Sequence, residues 1–399
     1  MKKIISILFA LLISITPICA QRNPDLRHLP KRPIERTEMV LPKIKGYNIY
    51  KADFHIHTTY SDGDVSVKGR VSEAFYDGLD IIAITDHIEY RPYEARMLQA
   101  TRGYHKELPK AKNNRLMNEP ADKDGILADL NTPYEDAKKY GKRMGLLVIP
   151  GVEITRHPDK IGHYNALFIK DANTIYDPNP EQSLRNAKSQ GALIIHNHPG
   201  GARKSVDMNS FHHKIYDAGL IDGVEVVNNG GLGVKLIKRC LDRKLFMVGA
   251  TDIHTLSSTL YSQRGYFRTC TLVLAKELTE KSIRNALEKG RTLAYSYDHV
   301  IGEESLIEEL FHNSVSLKVA YTNPKGVKTV ILTNTSSIPY QISFSGKGEG
   351  STLSPFQSRS FNVAKDKDFT FSVMNLWTAD DEHPQGKHLQ VCYKAKDLK

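Results

Sequence analysis

Tyr50-Lys51-Ala52-Asp53-Phe54-His55-Ile56-His57 reads as a strand that ends in two histidines one residue apart. Side chains alternate across a strand, so His55 and His57 share a face. Thr251-Asp252-Ile253-His254 repeats that spacing nearly two hundred residues later. Between the two pairs lie Asp62, His87, Glu153, His163 and His198. Two such pairs near opposite ends of a domain, with single His, Asp and Glu residues between them, point to a metal site closed by the fold.

Outward from that strand, the pattern alternates. Apolar strand-like runs end at His57, Thr85, Glu153, His198, Asn228 and Asp252. Ile81–Ile84, Leu146–Ile149 and Leu193–Ile195 are near-continuous apolar runs, as expected of strands covered on both faces. Helical patterns separate them at Val67–Tyr76, Pro133–Lys142, Pro180–Ser189, Val234–Arg243 and Thr279–Lys289. Pro133 and Pro180 suit a first helical turn, and Gly78, Gly145, Gly191 and Gly290 suit helix exits. Alternation of this kind over about 250 residues suggests an α/β barrel. The candidate ligands fall at or just beyond the C-terminal ends of the strands, the rim where barrel active sites lie. From about Leu310 the texture changes to short alternating runs broken by Gly, Ser, Asn and Pro, which reads as a small all-β, sandwich-like unit. The expected organisation is therefore a leader at 1–20, an arm at 21–45, a barrel at 46–305 and a β unit at 310–399.

The leader is read from Met1-Lys2-Lys3, the apolar stretch Ile4–Ile15, which is too short to span a bilayer, and a small residue, Ala20. Cleavage after Ala20 leaves Gln21 first and an exported chain, periplasmic or extracellular. Lipidation at Cys19 is the lesser alternative, because Ile18 is bulkier than the small residues such sites prefer. No later segment looks transmembrane. After cleavage Cys240, Cys270 and Cys392 remain, too few and too scattered for a disulfide framework and without thiolate metal spacing. The 399 residues are 40% hydrophobic and 25% charged, an ordinary globular balance. The net charge of +10 is spread along the chain with no basic block of nucleic-acid type, so no stable nucleic-acid complex is expected.

Eleven of the 16 histidines lie between His55 and His254. Any one of them alone is more often structural than a ligand; the joint pattern changes that. Neutral imidazole and carboxylate are the usual ligands of zinc, manganese and iron. A carboxylate that bridges two metals favours displacement at phosphorus or carbon.

Six motifs occur in order: His-Ile-His-Thr-Thr-Tyr-Ser-Asp-Gly (55–63), Ala-Ile-Thr-Asp-His (83–87), Gly-Val-Glu-Ile-Thr (151–155), Gly-His-Tyr (162–164), His-Pro-Gly (198–200) and Gly-Ala-Thr-Asp-Ile-His (249–254). Together they resemble the PHP (polymerase and histidinol phosphatase) family of metal-dependent phosphoesterases, over about residues 47–300. The leader and the C-terminal β unit resemble its exported phosphodiesterase-like members. The resemblance implies a distorted seven-stranded barrel with two to three divalent ions, zinc, manganese or iron. It implies a first metal held by His55, His57, Glu153 and Asp252. A second would share Glu153 and add His163 and His198, and a third would take Asp62, His87 and His254. His196 stands two residues from His198, and the His-Pro pair favours His198. The implied activity is hydrolysis of a small phosphorylated substrate by metal-bound hydroxide, with a diester the leading substrate. The resemblance makes Glu153 and Asp252 the expected central catalytic carboxylates. Arg156 and Arg203 are candidates to hold phosphate oxygens, with exposed arginine the competing reading of each. His299 is a candidate proton donor to the leaving group. Asp86 is expected to orient a ligand, and His212 and His213 to be structural residues on a helix. Two other functions stay open: C–N or carboxylate-ester hydrolysis of the amidohydrolase kind, and a metal-stabilised module that binds a glycan or partner. Proofreading is not expected of an exported chain read without a polymerase domain, nor histidinol phosphate hydrolysis, whose pathway is cytoplasmic. The charged insertion from Arg91 to Thr132 follows a rim strand and is expected to shape the pocket.

Overall fold

The apolar run Ile81–Ile84 has no polar face to offer water, so it can only be an inner strand, and it is buried throughout. A computed structural model describes residues 35–94, 129–155, 161–200, 205–346 and 350–398. In it β1 (Asn48–Asp53) pairs in parallel with β2 (Ile81–Ile84), and β2 with β3 (Leu147–Thr155). β4 (His163–Leu167) runs antiparallel to β3 and to β5 (Leu193–Asn197). β5 and β6 (Gly223–Asn228) are parallel; β7 (Gly231–Leu232) folds back on β6; and β8 (Phe246–Ala250) pairs in parallel with the other edge of β6. The parallel bridge Ile56–Ile253 closes the circuit, with His57 N–H donating to Ile253 C=O at 3.2 Å. β1, β2, β3, β4, β5, β6 and β8 therefore make the distorted seven-stranded barrel that the motifs imply.

The antiparallel β4 is the departure from simple strand–helix alternation. Seven residues separate Thr155 from His163. A parallel return needs a crossover of about a dozen or more, so so short a link permits only an antiparallel neighbour. His163 thus begins its strand at the rim where the other strands end.

Helices cover the outside as their patterns require. α1 (Val67–Tyr76) is capped by Ser66, whose hydroxyl accepts from Gly69 N–H. α2 (Thr132–Met144) carries Pro133 in its first turn and ends at Gly145 with φ of 77°. α3 (Pro180–Ser189), α4 (Ser210–Asp217), α5 (Ile237–Arg243), α6 (Ser257–Leu260) and α7 (Glu280–Glu288) follow.

The far edge of β1 carries β9 (Cys270–Ala275), antiparallel, then β10 (Thr292–Ser296) and β11 (His299–Gly302). Among the described residues no backbone ladder joins β8 to β9. Threonine hydroxyls fill the seam. Thr271 Oγ1 accepts from Gly249 N–H at 3.1 Å and donates to Gly249 C=O at 2.9 Å, and Thr292 Oγ1 accepts from Met247 N–H at 3.1 Å. Gly249 is obligatory there, since a Cβ would lie 2.6 Å from Cys270 C=O.

α8 (Glu304–Ser314) leads into the C-terminal strands, and the boundary expected near residues 305–310 falls inside it. β12 (Val315–Thr322), β13 (Lys328–Asn334) and β16 (Ser358–Val363) form one antiparallel layer. β14 (Tyr340–Ser343), β15 (Ser351–Leu353), β17 (Phe369–Thr378) and β18 (Lys387–Tyr393) form the other. That second layer continues the barrel sheet, because β17 pairs in parallel with β11. One apolar cluster runs from Leu293 and Val300 through Leu310 and Phe311 to Phe371, Val373 and Leu376. Arg36–Lys399 is accordingly one unit.

Of the expected arm, residues 35–45 are described. Val40 and Ser337 exchange two hydrogen bonds of 2.9 Å. The leader, Cys19, Arg156, Arg203 and most of the insertion after Arg91 lie outside the described residues. No described helix is long and apolar enough to cross a membrane. Cys240 and Cys270 are buried as expected, and burial pushes the Cys240 thiol up to about 12.

Candidate metal centre

The rim of the barrel gathers all nine expected ligands. The segment after β1 brings His55 and His57 in with ring centroids 5.0 Å apart and Nε2 atoms 3.0 Å apart. Both Nε2 atoms face Asp252 Oδ1, at 3.1 and 3.0 Å. Glu153, near the end of β3, lies at the centre. Its Oε1 is 3.3 Å from His55 Nε2, 3.3 Å from His163 Nδ1 and 3.9 Å from His198 Nε2, and its Oε2 is 2.6 Å from His87 Nδ1. Asp62 Oδ2 sits 3.4 Å from His87 Nε2 and 3.3 Å from His254 Nε2. Backbone turns aim two of these residues: His198 has φ of 27° and Asp252 of 51°. The turn at His198 also separates it from His196, which would share its face on a regular strand. His196 points away, its Nδ1 2.8 Å from the Tyr216 hydroxyl.

Burial is graded across the cluster. The side chains of His55, His57 and Glu153 are fully buried, whereas Asp252, His198, His163 and His254 keep 24, 24, 30 and 35% exposure. The centre is closed below and open on the side of those four.

Four groupings of ligand atoms converge within 4.8 Å: His57, Asp62, His87 and His254; His55, His57 and Glu153; His55, His198 and Asp252; Glu153, His163 and His198. Metal bonds of about 2.1 Å place neighbouring ligand atoms about 3.0–3.4 Å apart, the edges of an octahedron or tetrahedron. The contacts around Asp252 Oδ1, Glu153 Oε1 and Asp62 Oδ2 cluster in that range. Asp62 Oδ1 is buried without a hydrogen-bond partner. A buried carboxylate oxygen left so is costly unless a cation completes it. The residues fit divalent ions. His57 joins the set expected for the third ion, so it stands between two sites as Glu153 does.

The charges agree. Burial opposes ionisation of Glu153, but His87, His55 and His163 outweigh it and hold the carboxyl well below its usual range. Asp62 and Asp252 are lowered in the same way, the first chiefly by His254 and His87, the second by His55 and His57. Burial lowers His57 and keeps it neutral, as a ligand must be. Burial also acts on His87, but Glu153 and Asp62 overcome it and raise that imidazole to about 10.

A PHP-domain family model matches residues 53–197. The chain is 30% identical to a two-domain protein of Bacteroides vulgatus ATCC 8482 described as containing a PHP-like metal-dependent phosphoesterase; the match covers 90% of this chain and 99% of that one, with a TM-score of 0.76. The chain belongs to the PHP family. A protein of Bifidobacterium adolescentis ATCC 15703 described as a metal-dependent phosphoesterase is 16% identical over 60% of this PHP chain and 96% of its own, with a TM-score of 0.35. The lesion-specific endonuclease Q of Pyrococcus furiosus is 16% identical over 65% and 60%, with a TM-score of 0.38. No curated protein matches.

Around this PHP centre stand residues that the motifs did not mark. Glu225, buried in the middle of β6, accepts from His55 Nδ1–H at 2.7 Å, from His198 N–H at 2.7 Å and from an Asn228 amide N–H at 2.9 Å. It thereby leaves His55 Nε2 as the lone-pair nitrogen that faces the centre. Asn197 donates to Glu153 Oε1 and to Asn165 Oδ1, both at 2.8 Å. Buried Arg70 donates to the carbonyls of His57, Ile253 and Thr255, tying the two ligand loops together. The sequence signal for Glu225 was an acidic residue inside Gly223-Val224-Glu225-Val226-Val227, a strand with no solvent face. Asp86 accepts from Thr58 N–H, Thr58 Oγ1 and Ser61 Oγ, holding the turn after His57 rather than touching a ligand. His299 Nδ1 accepts from Trp377 Nε1–H at 3.1 Å, and among the described residues it makes no hydrogen bond to the nine ligands. It belongs to the junction with β17, which only the distant C-terminal chain creates.

Proposed function

We propose that the chain is an exported metal-dependent phosphoesterase, with a phosphodiester of a small molecule as the leading substrate. The observation that carries the reading is the convergence of nine residues into four overlapping groupings, two of which include Glu153 and two His57. Divalent ions held there supply an activated water and positive charge for the phosphoryl oxygens. The chain's own part is orientation. Glu225 and Asn197 hydrogen-bond His55 and Glu153 on the buried side of the centre. The partly exposed imidazoles of His163, His198 and His254 border the open side, which is where a phosphate group would enter. Asp62, Glu153 and Asp252 bring three negative charges, and three divalent ions exceed them by three. That surplus supports an anionic substrate over a neutral amide or ester. Export is supported by the charged start and short apolar stretch at Met1–Ala20.

The deciding experiment compares the protein, reconstituted with Mn or Zn, on matched chromogenic diester, monoester, acetate ester and anilide substrates. Phosphate substrates are expected to turn over fastest, the diester ahead of the monoester. Faster hydrolysis of the acetate or anilide than of both phosphates would move the chain to amidohydrolase-type chemistry. Cell fractionation tests export.

A further inference from the structure

A second group of rings lies one step behind two of the ligands. Tyr164 follows His163 on β4, and His196 precedes His198 on β5. The His196 ring is stacked between Tyr164, at 5.1 Å and 29°, and His212, at 4.9 Å and 27°. His212 is the third residue of α4 and closes a capping box with Asn209. Asn209 Oδ1 accepts from His212 N–H at 2.9 Å, and His212 Nδ1 accepts from Asn209 N–H at 3.1 Å. That second bond fixes the tautomer, because an Nδ1 that accepts leaves the proton on Nε2. His212 Nε2 faces Ile161 C=O at 3.0 Å and so donates to it. The Tyr164 hydroxyl donates to the same carbonyl. Gly162 follows with φ of 89°, its α-carbon pressed against the stack: a Cβ would lie 3.0 Å from His196 Nε2 and 3.2 Å from the Tyr164 hydroxyl. The next residue is His163.

We infer that His212 is a positioning residue for His163, acting through the Ile161–Gly162 turn. His163 is the last laddered residue of β4 at the rim, opposite Thr155 and Asn197. The strand holds it on its C-terminal side alone. The direction in which its ring leaves the sheet is set by the turn before it, and two donors, one from a helix cap and one from β4, hold the carbonyl of that turn. The inference rests on the reading of the nine residues as a metal centre. It adds that the set formed by Glu153, His163 and His198 depends on α4, whereas the set formed by Asp62, His87 and His254 does not.

Three substitutions at one position separate this role from plain helix capping. His212→Gln carries an amide N–H near the place of Nε2. His212→Asn carries an acceptor near the place of Nδ1 and preserves the cap but does not reach Ile161. His212→Phe preserves the stack and loses both bonds. Full-length protein is loaded with Co(II), and chelator competition, metal content and the Co(II) absorption spectrum are followed. His212→Gln is expected to bind like the parent. His212→Asn and His212→Phe are expected to hold one ion about tenfold or more weakly, the scale of a lost outer hydrogen bond, with the remaining ions unchanged. Gly162→Ala reaches the same turn without touching the cap and is expected to weaken the same ion, so the test stands if a His212 variant fails to fold. The inference is overturned if His212→Asn and Gly162→Ala bind every ion as the parent does, or if all ions weaken together. A parent that binds no Co(II) would instead sink the metal-centre reading itself.

Discussion

Glu225→Gln is the sharpest perturbation of the centre that leaves every ligand in place. The carboxylate accepts three hydrogen bonds, Oε1 a buried one from His55 Nδ1–H and Oε2 two part-buried ones from His198 N–H and Asn228 Nδ2–H. An amide of the same shape has one acceptor end. If its oxygen faces His55, its NH2 is driven against two donors. If its NH2 faces His55, that ring must accept through Nδ1, its proton moves to Nε2, and the nitrogen that faces Asp252 and Glu153 is no longer a ligand. The first orientation leaves donors unsatisfied; the second satisfies them only while His55 Nε2 keeps its proton, so binding metal there costs about 1–3 kcal/mol. If that cost falls on the metal-competent state, it equals about a 10–100-fold loss of affinity, the range seen when an outer partner of a ligating histidine is removed. The assay is competition with a chromogenic chelator, with thermal melting of the metal-free and metal-loaded forms alongside. The expected result is weaker binding of the ion held through His55 and a smaller rise in melting temperature on loading. Folded Glu225→Gln protein with parental affinity for every ion would refute the reasoning.

Glu153→Gln removes the shared carboxylate charge while keeping its shape, and phosphoester turnover is expected to fall about 10²-fold or more; kinetics on protein of measured metal content check this. In the metal-free protein, the lowered carboxyls of Asp62, Glu153 and Asp252 contribute stability above about pH 4 that is lost as pH falls below their usual range. His87, raised to about 10, contributes stability below about pH 6.5 that fades as pH rises toward 10. Metal uptake at pH 8 must therefore expel the His87 proton, and affinity at that set should rise with pH up to about 10; calorimetry in buffers of different ionisation enthalpy counts the protons, and no release would contradict it. Truncation after Ser314 is expected to give insoluble protein, because it exposes the β11 edge that pairs with β17 and the apolar side of α8; a soluble, fully metallated barrel from that cut would show that the β unit is dispensable.

The centre was legible because its ligands are chemically rare and evenly placed at strand ends. Glu153, Asp252 and His254 lie in or follow apolar runs whose burial is forced, and His55 and His57 end a strand whose alternation puts them on one face. Local capping also carried through: Pro180 and Gly145 mark the helix ends that the pattern assigns. What escaped was set by partners distant in sequence. β4 is too short to show a period, and its direction follows from a link length. Glu225 makes its contacts to residues 170 and 27 positions away. His299 is a candidate proton donor on sequence alone; its partner Trp377 lies 78 residues later.

The threonine seam gives the nine ligands a mechanical meaning. β8 and β9 meet without a ladder, and beside that seam the circuit of the barrel is closed by one bridge, Ile56–Ile253. His55 and His57 flank the bridge on one side, Asp252 and His254 on the other. An ion bound between them joins two points on the order of 200 residues apart, and a link that closes so long a loop removes more chain entropy than a local one. Metal is then the buckle of the barrel. Where the ion is scarce the barrel should part first at this seam, which would appear as hydrogen exchange at Met247 and Gly249 well before the interior of β2 and β3 begins to open.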